Sequence, residues 1–403
     1  MLSFLSIYVT KKETMNIKLK EKFISLYGHE PQLFRSPGRV NLIGEHTDYN
    51  EGFVLPAAID KEVVFAIQKN NTSISRFYAL DLEESYELDL NTLEKAPQGS
   101  WANYLIGVTA QFLDKNQKVE GYDCVFCSSV PLGAGLSSSA ALECCLAFGL
   151  NKLFELENEP FELVKMAQKA EHEFAGVKCG VMDQFASVFG KEGHLVRLDC
   201  KTEEYQYVPF ELPNYRIVLI NTMVKHSLAS SEYNTRREEC ERGVSILKKY
   251  YPDINSLRDV TNEMLEKHQA EFSDNVYKRC TYVVNENTRV IEGCKDLNNN
   301  DVFAFGEKMY ATHHGLSENY KVSCTELDFL VEHSKPFTTV VGSRMMGGGF
   351  GGCTINLVKE EGVDDFVKSA SEAYQKQFNV VPEVYIAQIA NGSSYVLPSL
   401  VNN

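Results

Sequence analysis

Between Pro131 and Glu143 the chain reads PLGAGLSSSAALE, and no other stretch restricts its fold so strongly. The preceding run Tyr122-Asp123-Cys124-Val125-Phe126-Cys127 has the apolar and aromatic character of a strand. Pro131, Gly133 and Gly135 break it. Ala140 to Leu146 then suits a buried helix. Glycines at alternate positions can take positive φ and present no Cβ to a ligand. Ser137, Ser138 and Ser139 place hydroxyls at the N-cap or in the first turn. Free amides and the positive end of a helix dipole at such a turn form an anion site. A hydroxyl leaving the turn also reaches a magnesium ion. The ordinary alternative is a capped helix after a loop. The stretch is not a P-loop, because no Lys follows its last Gly. Nor is it a protein-kinase loop, since the chain has no H-R-D or D-F-G companion.

Charge narrows the partners. Across 403 residues the formal net charge is -15, which argues against a nucleic-acid partner, since that needs a basic face, and against docking on anionic lipid. No apolar run approaches the length of a membrane span. At the N-terminus, MLSFLSIYVTKKE has its apolar residues before its Lys pair, the reverse of a secretory signal. Residues 1–15 therefore read as a tail, extended or disordered. The eleven Cys are scattered. Cys124 and Cys127 are three apart in a strand and point to opposite faces, and no second pair completes a zinc site. Buried reduced thiols in a cytoplasmic protein account for them.

Residues 16–29 have a helical pattern. Leu33 to Tyr49 is an apolar strand ending in a dense polar cluster, with Arg39, Glu45, His46 and Asp48 between glycines. A solvated ion pair is one reading. A loop for a polyhydroxylated ligand is the other, because sugar hydroxyls both donate and accept. Runs at 63–68, 73–79 and 86–90 read as antiparallel strands with hairpin turns such as Asn70-Asn71. Trp101 to Phe112 reads as a helix, with Trp101 either in the core or walling a nucleobase. Asp183 sits among apolar residues after Gly180, as an N-cap or as a base. Mixed strands and helices, with no alternating βαβ series, make the class α+β. The expected boundary lies near Pro209, giving an N-terminal unit over 16–208 and a C-terminal one over 209–403.

Three segments together resemble a known family. GRVNLIGEHTDY (Gly38 to Tyr49) resembles the galactokinase signature. PLGAGLSSSAALE resembles the ATP-binding motif of the GHMP small-molecule kinases, and RMMGGGFGGC (Arg344 to Cys353) resembles their third motif. CGVMDQ at 179–184, HSLASSEYNTRRE at 226–238 and WANY at 101–104 are similar to further galactokinase stretches. The resemblance implies a two-domain GHMP-kinase-like α+β fold with the active site in the interdomain cleft. It implies ATP and Mg²⁺, and phosphorylation of α-D-galactose at O1 in galactose catabolism by a cytoplasmic monomer.

Position by position, Glu45, His46, Thr47, Asp48, Gly180 and Tyr233 resemble the sugar-binding set. Asp183 resembles the catalytic base and Arg39 its cationic partner. Gly133, Ala134, Gly135, Leu136, Ser137, Ser138 and Ser139 resemble the phosphate cradle, joined by Gly348 and Gly349 and by Trp101 at the nucleotide. Ser139 and Glu171 resemble the magnesium ligands. Met346 departs from the pattern, standing where the family commonly has Ser or Thr. Other readings are a kinase for N-acetylgalactosamine or arabinose, a galactose sensor that binds without turnover, and a redox or metal protein. Intact Ser138, Ser139 and Asp183 favour catalysis over sensing.

Overall fold

The computed structural model describes residues 4–131, 133–224 and 229–396. A long helix, α1 (Phe4–Tyr27), leads into β1 (Gln32–Asn41), β2 (Phe53–Val54), β3 (Pro56–Lys69), β4 (Ile74–Ala79) and β5 (Glu84–Asp89). Then come α2 (Ala102–Asp114), β6 (Tyr122–Ser128), α3 (Ser138–Leu153), α4 (Pro160–Ala170), α5 (Met182–Phe189), β7 (His194–Asp199), β8 (Tyr205–Pro209) and β9 (Tyr215–Asn221). The remainder is α6 (Ala229–Leu247), α7 (Asn262–Lys267), α8 (Asp274–Asn298), α9 (Val302–His314), α10 (Thr325–Ser334), β10 (Val340–Met345), β11 (Cys353–Lys359), α11 (Val363–Phe378), β12 (Glu383–Ala387) and β13 (Ser394–Tyr395).

α1 begins at Phe4, where a tail was expected through residue 15. No Gly or Pro interrupts residues 1–27, so each residue added to the helix gains a hydrogen bond at little cost. Its inner face, Leu19 and Phe23, covers Val64, Ala66, Val125 and Cys127 on one side of a six-stranded sheet. That sheet has the order β13-β1-β3-β6-β4-β5. The chain does reverse after Asn70, but β3 and β4 are not hairpin partners. β6 lies between them, antiparallel to β3 and parallel to β4. Arg76 on β4 and Asp123 on β6, both bonds at 2.7 Å, help hold this insertion, and Asn70 also donates to Asp123. Cys124 enters the main core and Cys127 the layer under α1, as alternation along a strand requires.

The second half is built on a four-stranded antiparallel sheet, β10-β11-β9-β12. β9 shows the two-faced pattern directly. Ile217 and Leu219 point into the core shared with the first sheet, while Val218 and Ile220 meet Leu330, Phe366 and Tyr374 from α10 and α11. β13 pairs with the edge of β1, so the last strand among the described residues belongs to the first sheet although it lies within 209–403. An otherwise open edge explains the return. β2, β7 and β8 form a third, small sheet. Among the described residues, no helix is long and apolar enough to cross a membrane.

Candidate active site

A cavity of ≈270 Å³ opens at the seam between the two halves. Its first wall is the loop after β1. Pro37 has no N–H to give the ladder, and the register with β3 slips between Pro37 and Arg39. Gly38 lets the strand press on the glycine-serine loop, since a Cβ there would lie 2.7 Å from the Leu136 carbonyl. Arg39 is thereby aimed at the seam. Its Nε and Nη2 each donate to Asp183 at 2.7 Å, and Nη1 donates to the Gly135 carbonyl at 2.6 Å. Burial works against the charge on Arg39, but Asp183, Glu45 and Asp48 outweigh it and hold its pKa above the usual value.

Asp183 lies in the first turn of α5, two residues past the N-cap Val181. It is therefore not the N-cap. Its carboxylate faces the cavity, with the Arg39 fork on both oxygens and the Ser137 hydroxyl on Oδ2. A carboxylate has about four acceptor sites, so roughly one is left for an incoming hydroxyl.

Glu45, His46 and Asp48 line the same cavity, with Gly180 against Asp48 and Tyr233 beside the His46 ring. Glu45 is almost wholly buried, and its Oε1 accepts from Arg344 Nη2 and from the Gly347 amide, both at 2.8 Å. Burial pushes its carboxyl up, yet Arg344 and Arg39 prevail and its pKa is lowered. Burial brings His46 down to about 4, against the opposing pull of Glu45 and the Gly348 backbone. The ring is therefore neutral near pH 7.

Asp48 is pushed up to about 7 by burial and by Asp183. A carboxyl raised from 3.8 favours the folded state most below 3.8, and that contribution is lost as pH rises through about 7. Asp48→Asn is expected to raise the urea midpoint at pH 8 more than at pH 5. An equal change at both pH values would contradict the assignment.

Thr47 does not line the cavity. Its hydroxyl donates to the carbonyls of Gly44 and Phe53 at 2.9 and 2.6 Å, so the side chain braces the loop from behind. Trp101 also lies outside the cavity. It donates to Glu84 at 2.7 Å and packs edge-on to Phe126, as a half-buried part of the core rim. Ala134 and Leu136 are buried and line no part of the cavity. Gly133 has φ +72° and nothing within 4 Å of a would-be Cβ, so the loop is open there.

α3 starts at Ser138, and its N-cap Ser137, held at φ +56° rather than in the extended conformation of a capping residue, makes no side-chain cap bond and donates its hydroxyl to Asp183. The hydroxyl expected in the phosphate cradle thus serves the carboxylate, while the first-turn amides stay uncapped. Gly348 and Gly349 complete the rim from the β10–β11 loop. Met346 is buried in the core and its amide bonds to the Cys353 carbonyl at 3.0 Å, so its side chain stands away from the loop surface.

Ser139 donates to Glu171 at 3.1 Å, and Gln184 and Cys179 donate to the other Glu171 oxygen at 2.7 and 3.3 Å. Glu143 lies behind them, fully buried, accepting from Gln184 at 3.3 Å. Burial raises the pKa of both carboxyls; Glu171 pushes Glu143 further up, and Asp183 does the same to Glu171.

Residues 21–69 match the galactokinase galactose-binding signature, and residues 103–191 match the N-terminal domain of the GHMP kinases. A galactokinase of Clostridium acetobutylicum is 41% identical over 383 residues, covering 94% of this chain and 98% of that protein. The chain belongs to the galactokinase family. A second galactokinase, from Bacillus subtilis, is 39% identical over 385 residues, covering 94% of this chain and 98% of its own length. The solved Lactococcus lactis galactokinase complexed with galactose matches at TM-score 0.91 and 35% identity, over 95% of this chain and 100% of that one. A mevalonate kinase structure shares the fold at TM-score 0.63 and 18% identity, over 89% and 99%.

Several residues of this galactokinase-family site were not singled out from sequence. Arg344 is fully buried and joins Glu45 to the carbonyls of Asn41, Leu42 and Met345. Gln184 bridges Glu143 and Glu171. Periodicity marks both only as interior polar groups. Of the stretch 226–238, His226, Ser227 and Leu228 lie outside the described residues.

Proposed function

We propose that the chain transfers the γ-phosphoryl group of ATP to O1 of α-D-galactose, giving galactose 1-phosphate and ADP. The observation that carries this reading is the Asp183–Arg39 pair. It faces a cavity of monosaccharide size and is tied through Arg39 Nη1 to the Gly135 carbonyl of the glycine-serine loop. A proton acceptor for the sugar and a seat for phosphate oxygens thus share one guanidinium.

In this reading Glu45, His46, Asp48 and Tyr233 hold the sugar hydroxyls and turn O1 toward Asp183. The O1–phosphorus bond forms as the bond from γ-phosphorus to its bridging oxygen breaks, and the O1 proton passes to Asp183. An alkoxide is far more basic than a carboxylate. The proton therefore moves late, within a loose transition state rather than before it. Arg39 fixes the carboxylate's orientation and adds positive charge beside the transferring group. The uncapped first turn of α3 and the open loop at Gly133 support a phosphate seat there.

Ser139 and Glu171 would hold Mg²⁺. Glu143 and Glu171 are two buried carboxyls whose partners are a hydroxyl, a thiol and an amide, none of them cationic. Hard oxygen donors of this kind suit a magnesium ion, which needs only one or two protein ligands beside phosphates and water. When bound, the ion neutralises triphosphate charge.

The test is ADP release by the purified protein with Mg²⁺ and ATP, offered galactose, N-acetylgalactosamine, arabinose, glucose, mevalonate or homoserine. Strong release with galactose, yielding a sugar 1-phosphate, is expected. Turnover with none of them, alongside thermal stabilisation by galactose and ATP, would replace this reading with a sensor.

Gly180 provides a second test. A Cβ there would lie 1.8 Å from Asp48 Oδ2, so Gly180→Ala must displace that carboxylate. Overpacking of this kind costs about 1–3 kcal/mol. The expected result is a KM for galactose raised about 10- to 100-fold, with KM for ATP little changed. Equal rises in both constants would contradict the placement of Asp48.

A further inference from the structure

Behind His46 runs a chain of hydrogen-bonding groups that leads into the interior. His46 Nδ1 is 2.7 Å from the Tyr49 hydroxyl, Tyr49 is 2.8 Å from the Tyr320 hydroxyl, and Tyr320 is 3.1 Å from Cys240 Sγ. Tyr320 and Cys240 are fully buried. Tyr320 ends a π-turn, Gly315–Tyr320, and its carbonyl accepts from Arg236 Nε at 2.8 Å, which holds the residue in place. At the other end, His46 Nε2 is buried and lies beside the Gly348 backbone without reaching hydrogen-bond geometry to any of the described residues. His46 itself lines the cavity and is held at φ +62°, a left-handed conformation fixed by its loop.

When all three bonds form and both phenol protons are used within the chain, the protons run in one of two directions. In one, imidazole Nδ1–H donates to Tyr49, Tyr49 to Tyr320, and Tyr320 to the sulfur. In the other, the thiol donates to Tyr320, Tyr320 to Tyr49, and Tyr49 to imidazole Nδ1. Sulfur is a weak donor and a weak acceptor, whereas an imidazole nitrogen is a strong acceptor for a phenol. The second direction places both phenol protons on good acceptors and spends only the weak S–H on the weakest link.

We propose that Tyr49, backed by Tyr320 and Cys240, is a positioning residue that locks His46 as the Nε2–H tautomer, so that His46 offers the sugar a hydrogen-bond donor. The assignment of a sugar as the ligand rests on the galactokinase reading above. The chemical consequence is direct. Each sugar hydroxyl has one proton. A hydroxyl that donates to the neighbouring ionised carboxylate, Glu45, has none left for His46 and must accept from it. The opposite tautomer would present a further acceptor to the same ligand and lose that bond.

The experiment reads the tautomer first, in ligand-free protein near pH 7, from the long-range ¹⁵N–¹H spectrum of the histidine rings. The His46 signals are assigned by their loss in His46→Gln. Wild type is expected to show a protonated Nε2 and an unprotonated Nδ1 shifted as a hydrogen-bond acceptor. Tyr49→Phe keeps the ring but removes the donor, and should yield a mixture of tautomers or the Nδ1–H form. KM for galactose should rise about three- to tenfold, the scale of one hydrogen bond, with kcat and KM for ATP unchanged. Tyr320→Phe should keep the tautomer, because Tyr49 still donates, while moving the Nδ1 signal toward its unbonded position. An Nδ1–H wild type, or a Tyr49→Phe protein with an unaltered tautomer, overturns the proposal. These spectra need no turnover, so a failure of galactose phosphorylation would leave the tautomer result standing and fall on the functional reading alone.

Discussion

Asp183→Asn is expected to lower kcat by about 10²–10⁴-fold, the usual range for a general base, while the protein stays folded. Asparagine has nearly the same shape, but it offers one acceptor where Arg39 presents two donors. The guanidinium then keeps one bond to residue 183, with Glu45 and Asp48 still nearby to balance its charge. Ser137→Ala separates the two effects. It removes a hydrogen bond from Asp183 without touching Arg39, and a smaller fall in kcat with unchanged KM for galactose is expected. Single-turnover rates with saturating ATP and galactose would check both variants. Near-normal turnover in Asp183→Asn would exclude Asp183 as the proton acceptor.

The largest expected loss of stability lies one layer further in. Arg344 and Glu45 form an ion pair at 2.8 Å with side-chain exposures of 0% and 3%. Arg344→Met would leave Glu45 buried without its main counter-charge and remove donors from three backbone carbonyls. Removing one member of a buried pair costs about 3–5 kcal/mol. The urea unfolding midpoint should fall accordingly, and Glu45→Gln added to Arg344→Met should recover part of it. A single variant as stable as wild type would show that the pair contributes little to the fold. The same pair connects two sequence motifs. Glu45 Oε1 takes both Arg344 and the Gly347 amide, so the loop after β1 and the loop after β10 are held in register through one oxygen.

Much of the site was legible because its parts are local. Arg39 to Asp48 and Gly133 to Ser139 are short segments whose residue types already select a turn, a helix start or a polar cluster. The β6 strand was legible for the same reason, its apolar and aromatic run ended by Pro131, Gly133 and Gly135. Thr47 was misplaced because it sits between His46 and Asp48, and adjacency in a loop does not fix which way a side chain turns. Trp101 was uncertain from sequence for a related reason, since an indole in a core rim and one beside a nucleobase have the same local pattern. The β3–β4 turn was read correctly as a reversal but wrongly as a hairpin. A third strand can enter between two that reverse, and nothing near Asn70 signals it.

By itself the sequence determined the segments, their charge and their local conformations, because sterics, capping and residue period act over a few positions. Only the tertiary structure decided which atom meets which. Arg39 finds Asp183 across 144 residues and Glu45 finds Arg344 across 299, distances over which no local periodicity carries information. Such partners are chosen by the packing of two sheets against a shared core. That packing turned the Ser137 hydroxyl onto Asp183, drew Thr47 away from the cavity, and placed Tyr320 behind His46.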